Sequence, residues 1–258
     1  MATSNAASLS LRLRQLKLPA FVEHHEELSV RAEREGLGFQ DCLAHLVEIE
    51  LAGREERKVE RLRKRSGLPS DKTLANLTLE KLDPKVRRQL QALCEGGFVE
   101  RTENVLAFGM PGRGKSHVIS AIGHELVARG ISVLWRPACH LVQQLLAAKR
   151  DLKLEAELRK LDRFEVIVLD DIGYISQNRE EMEVLFTLLA ERYERRSVMI
   201  TSNLVFSKWD RIFKDAMTTA AAIDRLVHHS IIMEMTGESY RADTAKQRKS
   251  EEVVVSAS

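Results

Sequence analysis

Cysteine is scarce and scattered: Cys42, Cys94 and Cys139 are the only three in 258 residues. Their odd number and wide spacing argue against a disulfide scaffold or a zinc knuckle and suit a reducing compartment. Aromatic residues make up only 5%, and no basic segment interleaves with them, so stacking on splayed single-stranded bases is a weak expectation. No run of about 18 apolar residues occurs, and residues 1–21 lack a continuous apolar stretch ahead of their first arginines. Neither a membrane span nor a signal peptide is expected, and the chain reads as cytoplasmic. A dominant charge is missing too: Lys+Arg 40 against Asp+Glu 38 leaves +2. An anionic partner would therefore have to be met by local basic patches. What is present, 44% hydrophobic and 30% charged residues, is enough for a core in one large domain or two modest ones.

The first third reads as helical. Leu11, Leu16, Leu18, Phe21, Leu28 and Ala32 recur at helical spacing, with Pro19 breaking or kinking the run. After Gly36 and Gly38, the positions Phe39, Cys42, Leu43, Leu46, Val47, Glu50 and Leu51 read as one amphipathic face. That helix ends basic, in Arg54, Arg57, Lys58, Arg61, Arg63, Lys64 and Arg65, before the breaker Gly67-Leu68-Pro69. A solvated helix end and a phosphate-contacting face are both open readings of it. A polar connector follows, then a helix from Pro84 to about Cys94, stopped at Gly96-Gly97. The domain boundary is placed at 68, giving a small all-helical domain 1–68 with a basic helix end, an α/β domain 69–245 and a disordered tail 246–258.

Beyond residue 100 the rhythm changes. Apolar runs at 105–108, 131–135, 166–169, 198–200 and 231–233 alternate with helical segments. That pattern belongs to a parallel sheet covered on both faces. Directly after the first run comes Gly109-Met110-Pro111-Gly112-Arg113-Gly114-Lys115-Ser116, then His117 and a helical stretch. This is G-x-x-x-x-G-K-[ST] in its strand–loop–helix context, where glycines let backbone N–H groups converge on phosphates at a helix N-terminus. Residues 109 and 111–117 are therefore the candidate ATP-binding segment. Lys115 would bridge the β- and γ-phosphates, and the Ser116 hydroxyl would ligate Mg2+.

Hydrolysis needs more than a phosphate loop. The run Val166-Ile167-Val168-Leu169 ends in Asp170-Asp171, at the strand edge where ligands of parallel sheets collect. Asp170 is expected to hold Mg2+ and Asp171 to orient or deprotonate the attacking water. Asn203, in Ile200-Thr201-Ser202-Asn203, would contact the γ-phosphate or that water, or else merely favour a turn. Arg225 is the candidate arginine finger, and Arg241 a possible further phosphate contact.

Taken in order, GMPGRGKSH, VIVLDDIGY, ITSN, IDRLVHHS and GESYR, with SGLPSDKTLANL after the basic helix, resemble the AAA+ ATPases. Residues 10–245 closely resemble the IstB-like helper ATPases of insertion sequences, which are similar to the DnaC helicase loaders. The resemblance implies an AAA+ P-loop sheet of order 5-1-4-3-2 flanked by helices, with the Asn203 strand between those of the phosphate loop and Asp170, and no C-terminal lid. It also implies ATP-dependent homo-oligomers with nucleotide at subunit interfaces, assembled on duplex DNA and stimulating a partner transposase. A DnaC-like replicative helicase loader is the alternative, and a small-molecule P-loop kinase a third. By resemblance to initiator-type AAA+ proteins, the long segment 140–164 lines a nucleic-acid channel. Lys149, Arg150 and Lys153 thus join Arg54, Arg57, Lys58, Arg61, Lys64 and Arg65 as candidate DNA contacts. Phosphate contacts of this kind predict weak sequence preference and steep salt dependence.

Overall fold

The computed structural model describes residues 2–174, 179–204 and 226–236. The chain divides into two compact units, Met1–Arg61 and Leu62–Ser258. The tail 246–258 and the region where a C-terminal lid would follow lie outside the described residues.

The first unit holds α1 (Ala2–Gln15), α2 (Pro19–Glu35) and most of α3 (Phe39–Ser66). Pro19 sits in the first turn of α2, where its missing N–H costs nothing. At the other end Gly36, at φ +69°, closes the helix by donating its N–H to Ala32 O. The apolar face that the spacing predicts for α3 is only partly buried. Cys42, Leu46 and Ile49 are half-buried, whereas Phe39, Leu43, Val47 and Leu51 form an exposed stripe four residues apart. Glu50 is the buried residue, 4% exposed. Its carboxylate accepts the Ala20 N–H at 2.9 Å, one of the orphan donors at the start of α2. Arg54 Nε donates to it at 2.8 Å, and Arg57 Nη2 at 3.4 Å. Arg54 Nη2 also donates to Lys17 O at 3.1 Å. A buried carboxylate with two arginines thus fastens α3 to the start of α2.

In the second unit the connector forms a short 3-10 turn, Leu79–Lys81, and buries Leu77 and Leu82. Asp83 caps α4 (Pro84–Cys94) by accepting the Lys85 N–H at 2.8 Å, and α5 (Gly97–Glu100) follows. The sheet comprises β1 (Asn104–Phe108), β2 (Val133–Pro137), β3 (Val166–Asp170), β4 (Ser197–Ser202) and β5 (Ser230–Glu234). All its pairings are parallel, in the order β2-β3-β4-β1-β5. This is the expected 5-1-4-3-2 order, and it sets β4 between β1 and β3.

Between the strands run α6 (Lys115–Ala128), α7 (Ala138–Arg150), α8 (Leu154–Leu161) and α9 (Arg179–Arg192). Leu106, Ile167, Leu169, Val198 and Ile200 pack into one core with Leu141, Leu145, Leu185 and Leu188 of α7 and α9. The alternate strand residues Val105, Ala107, Val168 and Met199, equally buried, point to the other face, where α6 packs. Burying each Leu, Ile or Val in such a core contributes about 1.5–3 kcal/mol. β2 starts two residues later than predicted. Ile131 N–H still closes α6 on Leu126 O, and Ser132 is engaged through its N–H and Oγ by the Glu165 carboxylate, both at 2.8 Å.

At the edge where the strands begin, Arg192 is 2% exposed. Its guanidinium donates to Leu161 O, Phe164 O, Glu165 O and Ser197 O. Burial pushes its pKa down to about 9, so it stays charged at neutral pH. One cation thereby ties the end of α8 and the approach to β3 to the start of β4.

Candidate nucleotide-binding site

The loop between β1 and α6 needs its glycines for separate reasons. Gly112 and Gly114 adopt φ of +83° and +80°, a region costly for residues with a Cβ. Gly109 lies so close to the last residues after β5 that a Cβ would fall 2.5 Å from Met235 O. Arg113 Nη1 donates to the same carbonyl at 3.3 Å, so the chain leaving β5 braces the loop. Lys115, 5% exposed, donates from Nζ to Gly109 O at 2.8 Å and Met110 O at 3.0 Å. The ammonium is thus held inside the curve of the loop, at the N-terminus of α6, where the helix dipole adds positive potential.

The acidic strand end meets this loop directly. Ser116 Oγ donates to Asp170 Oδ1 at 2.7 Å, joining the start of α6 to the end of β3. Thr201 Oγ1, on the intervening β4, donates to the same oxygen at 2.6 Å. Asp171 N–H in turn donates to Thr201 Oγ1 at 2.8 Å. Asp171 has φ +59°, a left-handed conformation that Asp tolerates better than most residues and that recurs at functional sites. Its neighbour in the cleft is Asn203, whose Oδ1 is buried without a hydrogen-bond partner among the described residues. A Cβ on Gly173 would lie 2.1 Å from that oxygen.

A cleft of about 190 Å³ is lined by Gly112, Lys115, Ser116, Asp171 and Asn203, and also by Lys72 and Leu77 of the connector. The segment read as a mere linker is therefore part of the site. It is laced to α6 through ring nitrogens that donate to its carbonyls. His117 Nε2 lies 2.9 Å from Thr73 O, and His124 Nε2 lies 3.0 Å from Pro69 O. His117 thus borders the cleft while holding the connector. Lys72 Nζ stands 6.0 Å from the centre of the Trp135 ring.

Lys115, Ser116, Asp170, Asp171 and Asn203 come together here, at the edge where the strands end. Arg225 and Arg241 lie outside the described residues. The basic candidates have varied surroundings. Arg54 and Arg57 bond Glu50, Lys58 Nζ sits 3.5 Å from Glu55, and Lys149 Nζ 2.8 Å from Glu183. Arg65 lies 5.4 Å over the Phe164 ring, while Arg61, Lys64, Arg150 and Lys153 are exposed. Thr201, Gly173, Lys72 and Leu77 escaped the sequence reading. Only Thr201 carried a signal, as a hydroxyl two residues before Asn203 at the end of a buried strand.

A model of the family described as IstB-like ATP binding protein matches residues 11–250. The chain is 40% identical over 248 residues to a Sinorhizobium fredii protein named for an insertion sequence and for ATP binding, covering 96% of this chain and 83% of that one. A Pseudomonas aeruginosa protein, named for ATP binding and the insertion sequence IS21, is 39% identical over 236 residues, covering 90% and 88%. The crystal structure of DnaI superposes with a TM-score of 0.56 at 19% identity, over 66% of this chain and 96% of that one, which shows a shared fold.

Proposed function

The chain belongs to the family of IstB-like ATP binding proteins, and from that premise we propose that it is a Mg2+-dependent ATPase that assembles on duplex target DNA, deforms it and recruits or stimulates a partner transposase. The observation that carries the enzymatic half is the meeting of Ser116 Oγ and Asp170 Oδ1 at 2.7 Å beneath the phosphate loop. A hydroxyl and a carboxylate side by side are the hard oxygen donors that suit Mg2+, which keeps most of its remaining positions for water and phosphate oxygens. Ser116 and Asp170 would hold the Mg2+, whose charge would offset that of the β- and γ-phosphates when bound.

The protein groups do the rest. Backbone N–H groups of residues 112–116 receive the phosphates, and Lys115 turns from the Gly109 and Met110 carbonyls to the β- and γ-oxygens. Asp171 holds the attacking water and accepts its proton, while the Asn203 amide aligns that water or contacts the γ-phosphate. Arg225 acts as a cation supplied from an adjoining subunit. Its presence at the phosphate only in the assembly makes assembly and hydrolysis one coupled event.

The DNA half rests on the family and on the basic end of α3, with Lys149, Arg150 and Lys153 as further phosphate contacts. Each subunit offers few such contacts, so an oligomer is needed to add them. The test measures particle size and DNA content with a non-hydrolysable ATP analogue at low and high salt. DNA-bearing assemblies that need the analogue and disappear at high salt are expected. A chain that stays monomeric and binds DNA equally without nucleotide overturns the reading, as does a stable complex with a replicative helicase in place of transposase stimulation.

A further inference from the structure

We propose that Glu194, His228 and His229 form a binding site for a Zn2+-type transition cation, at the edge of the sheet opposite the phosphate loop. One ring nitrogen of each histidine and one carboxylate oxygen of Glu194 lie within 4.8 Å of one another. His229 Nε2 is 3.5 Å from Glu194 Oε1, and the two imidazoles meet edge to face with centroids 4.3 Å apart. Ligands about 2.0–2.1 Å from a tetrahedral Zn2+ sit roughly 3.3–3.4 Å from each other, so small side-chain rotations suffice to close the cluster on an ion. Two neutral imidazoles and a carboxylate favour Zn2+ and its neighbours over Mg2+ or Ca2+, which prefer all-oxygen shells. Three protein ligands leave the fourth position to water.

The surroundings support a site held in place before any ion arrives. The Tyr193 hydroxyl lies 3.3 Å from Nδ1 of His228, an outer hydrogen bond of the type that orients a ligating imidazole. The turn carrying Tyr193 and Glu194 is anchored on both sides, because the Arg192 guanidinium donates to Ser197 O at 3.0 Å. On the other arm, His229 O accepts the Asn104 N–H at 2.7 Å, and Ser230 Oγ donates to Val227 O at 3.1 Å. A cation there would clip the turn before β4 to the start of β5, across β1. β5 in turn leads to Met235, whose carbonyl braces Arg113, so the clip would steady a support of the loop without touching nucleotide.

The experiment uses the tag-free full chain, stripped with chelator and titrated with Zn2+ alone by calorimetry, with melting followed in parallel. One Zn2+ per chain and a raised Tm are expected. Glu194→Gln and His229→Ala should each weaken binding by more than about tenfold, and the double variant His228→Ala, His229→Ala should abolish it. Tyr193→Phe should cost about tenfold. All three ligands are exposed, so unchanged circular dichroism of the metal-free variants separates loss of ligation from loss of fold. A Cys42→Ser, Cys139→Ser chain should bind Zn2+ as the parent does. No saturable binding, binding that survives the double histidine variant, or binding lost with the two cysteines overturns the assignment.

Discussion

Gly173 lies against the side chain of Asn203 so closely that a Cβ at 173 would fall 2.1 Å from Oδ1. This glycine, two residues after Asp171, therefore sets where the Asn203 amide can sit. Gly173→Ala must push Asn203 out of its place in the cleft while leaving the phosphate loop untouched. A misplacement of about 1 Å near reacting atoms costs about 10²-fold in rate. ATP affinity is expected to stay within about threefold of the parent while kcat falls by roughly that factor. Unchanged turnover would show that Asn203 has no part in hydrolysis.

Thr201 is the hinge between the two aspartates, donating to Asp170 Oδ1 at 2.6 Å and accepting the Asp171 N–H at 2.8 Å. Thr201→Val keeps the shape but removes the hydroxyl that accepts the Asp171 N–H and leaves Asp170 Oδ1 with Ser116 Oγ as its remaining donor, and a lost buried hydrogen-bond partner costs about 1–3 kcal/mol. Thr201→Ser keeps the hydroxyl. The valine variant should require more Mg2+ for half-maximal turnover and lose kcat, with the serine variant restoring most of both. A serine variant as poor as the valine one would mean that packing of the methyl group is what matters.

The parts of this molecule that were legible in the sequence are those whose physics is local. The central strands β1, β3 and β4 are buried on both faces and so read as apolar runs, and the phosphate loop is contiguous. Asp170 and Asp171 stand where a buried run turns abruptly polar. The contacts that cross the fold left no such trace. Gly173 matters only because Asn203 comes to lie beside it, and the connector joins the cleft through ordinary backbone carbonyls that His117 and His124 reach. The apolar face of α3 is buried only in part, because hydrophobicity says which residues prefer burial, not how much partner surface exists. A charged residue, Glu50, took the buried place because Ala20, Arg54 and Arg57 satisfy it.

Arg192 replaces a hydrophobic contact with four carbonyl bonds at the edge where the strands begin. Arg192→Met fills similar volume but leaves those carbonyls short of a donor in a buried place. A loss of about 3 kcal/mol or more is expected in denaturant unfolding of the α/β unit. Arg192→Lys should recover little, since one ammonium cannot span the same set of acceptors. In the fraction that remains folded, ATP affinity should be that of the parent, because the residue sits at the opposite edge of the sheet from Lys115.

Glu50 makes the first unit sensitive to acid. Burial opposes its ionisation, but hydrogen bonds from Arg54 and the Ala20 amide, with the charges of Arg54 and Arg57, outweigh this and hold its pKa below the ordinary Glu value. A carboxylate whose folded pKa is depressed stabilises fully above its unfolded pKa, and that stability is lost as pH falls through the lower folded value. Amide exchange at Ala20 in the full chain should therefore accelerate as pH drops through the acid range, once corrected for intrinsic rates, and Glu50→Gln should flatten that dependence. The same arrangement separates the basic residues of α3. Arg54→Gln and Arg57→Gln should disturb Ala20 protection along with any DNA binding. Arg61→Gln should lower the salt slope of DNA binding by about one and leave Ala20 protection unchanged. If Arg54→Gln weakens DNA binding without changing exchange at Ala20, its guanidinium serves DNA rather than the fold.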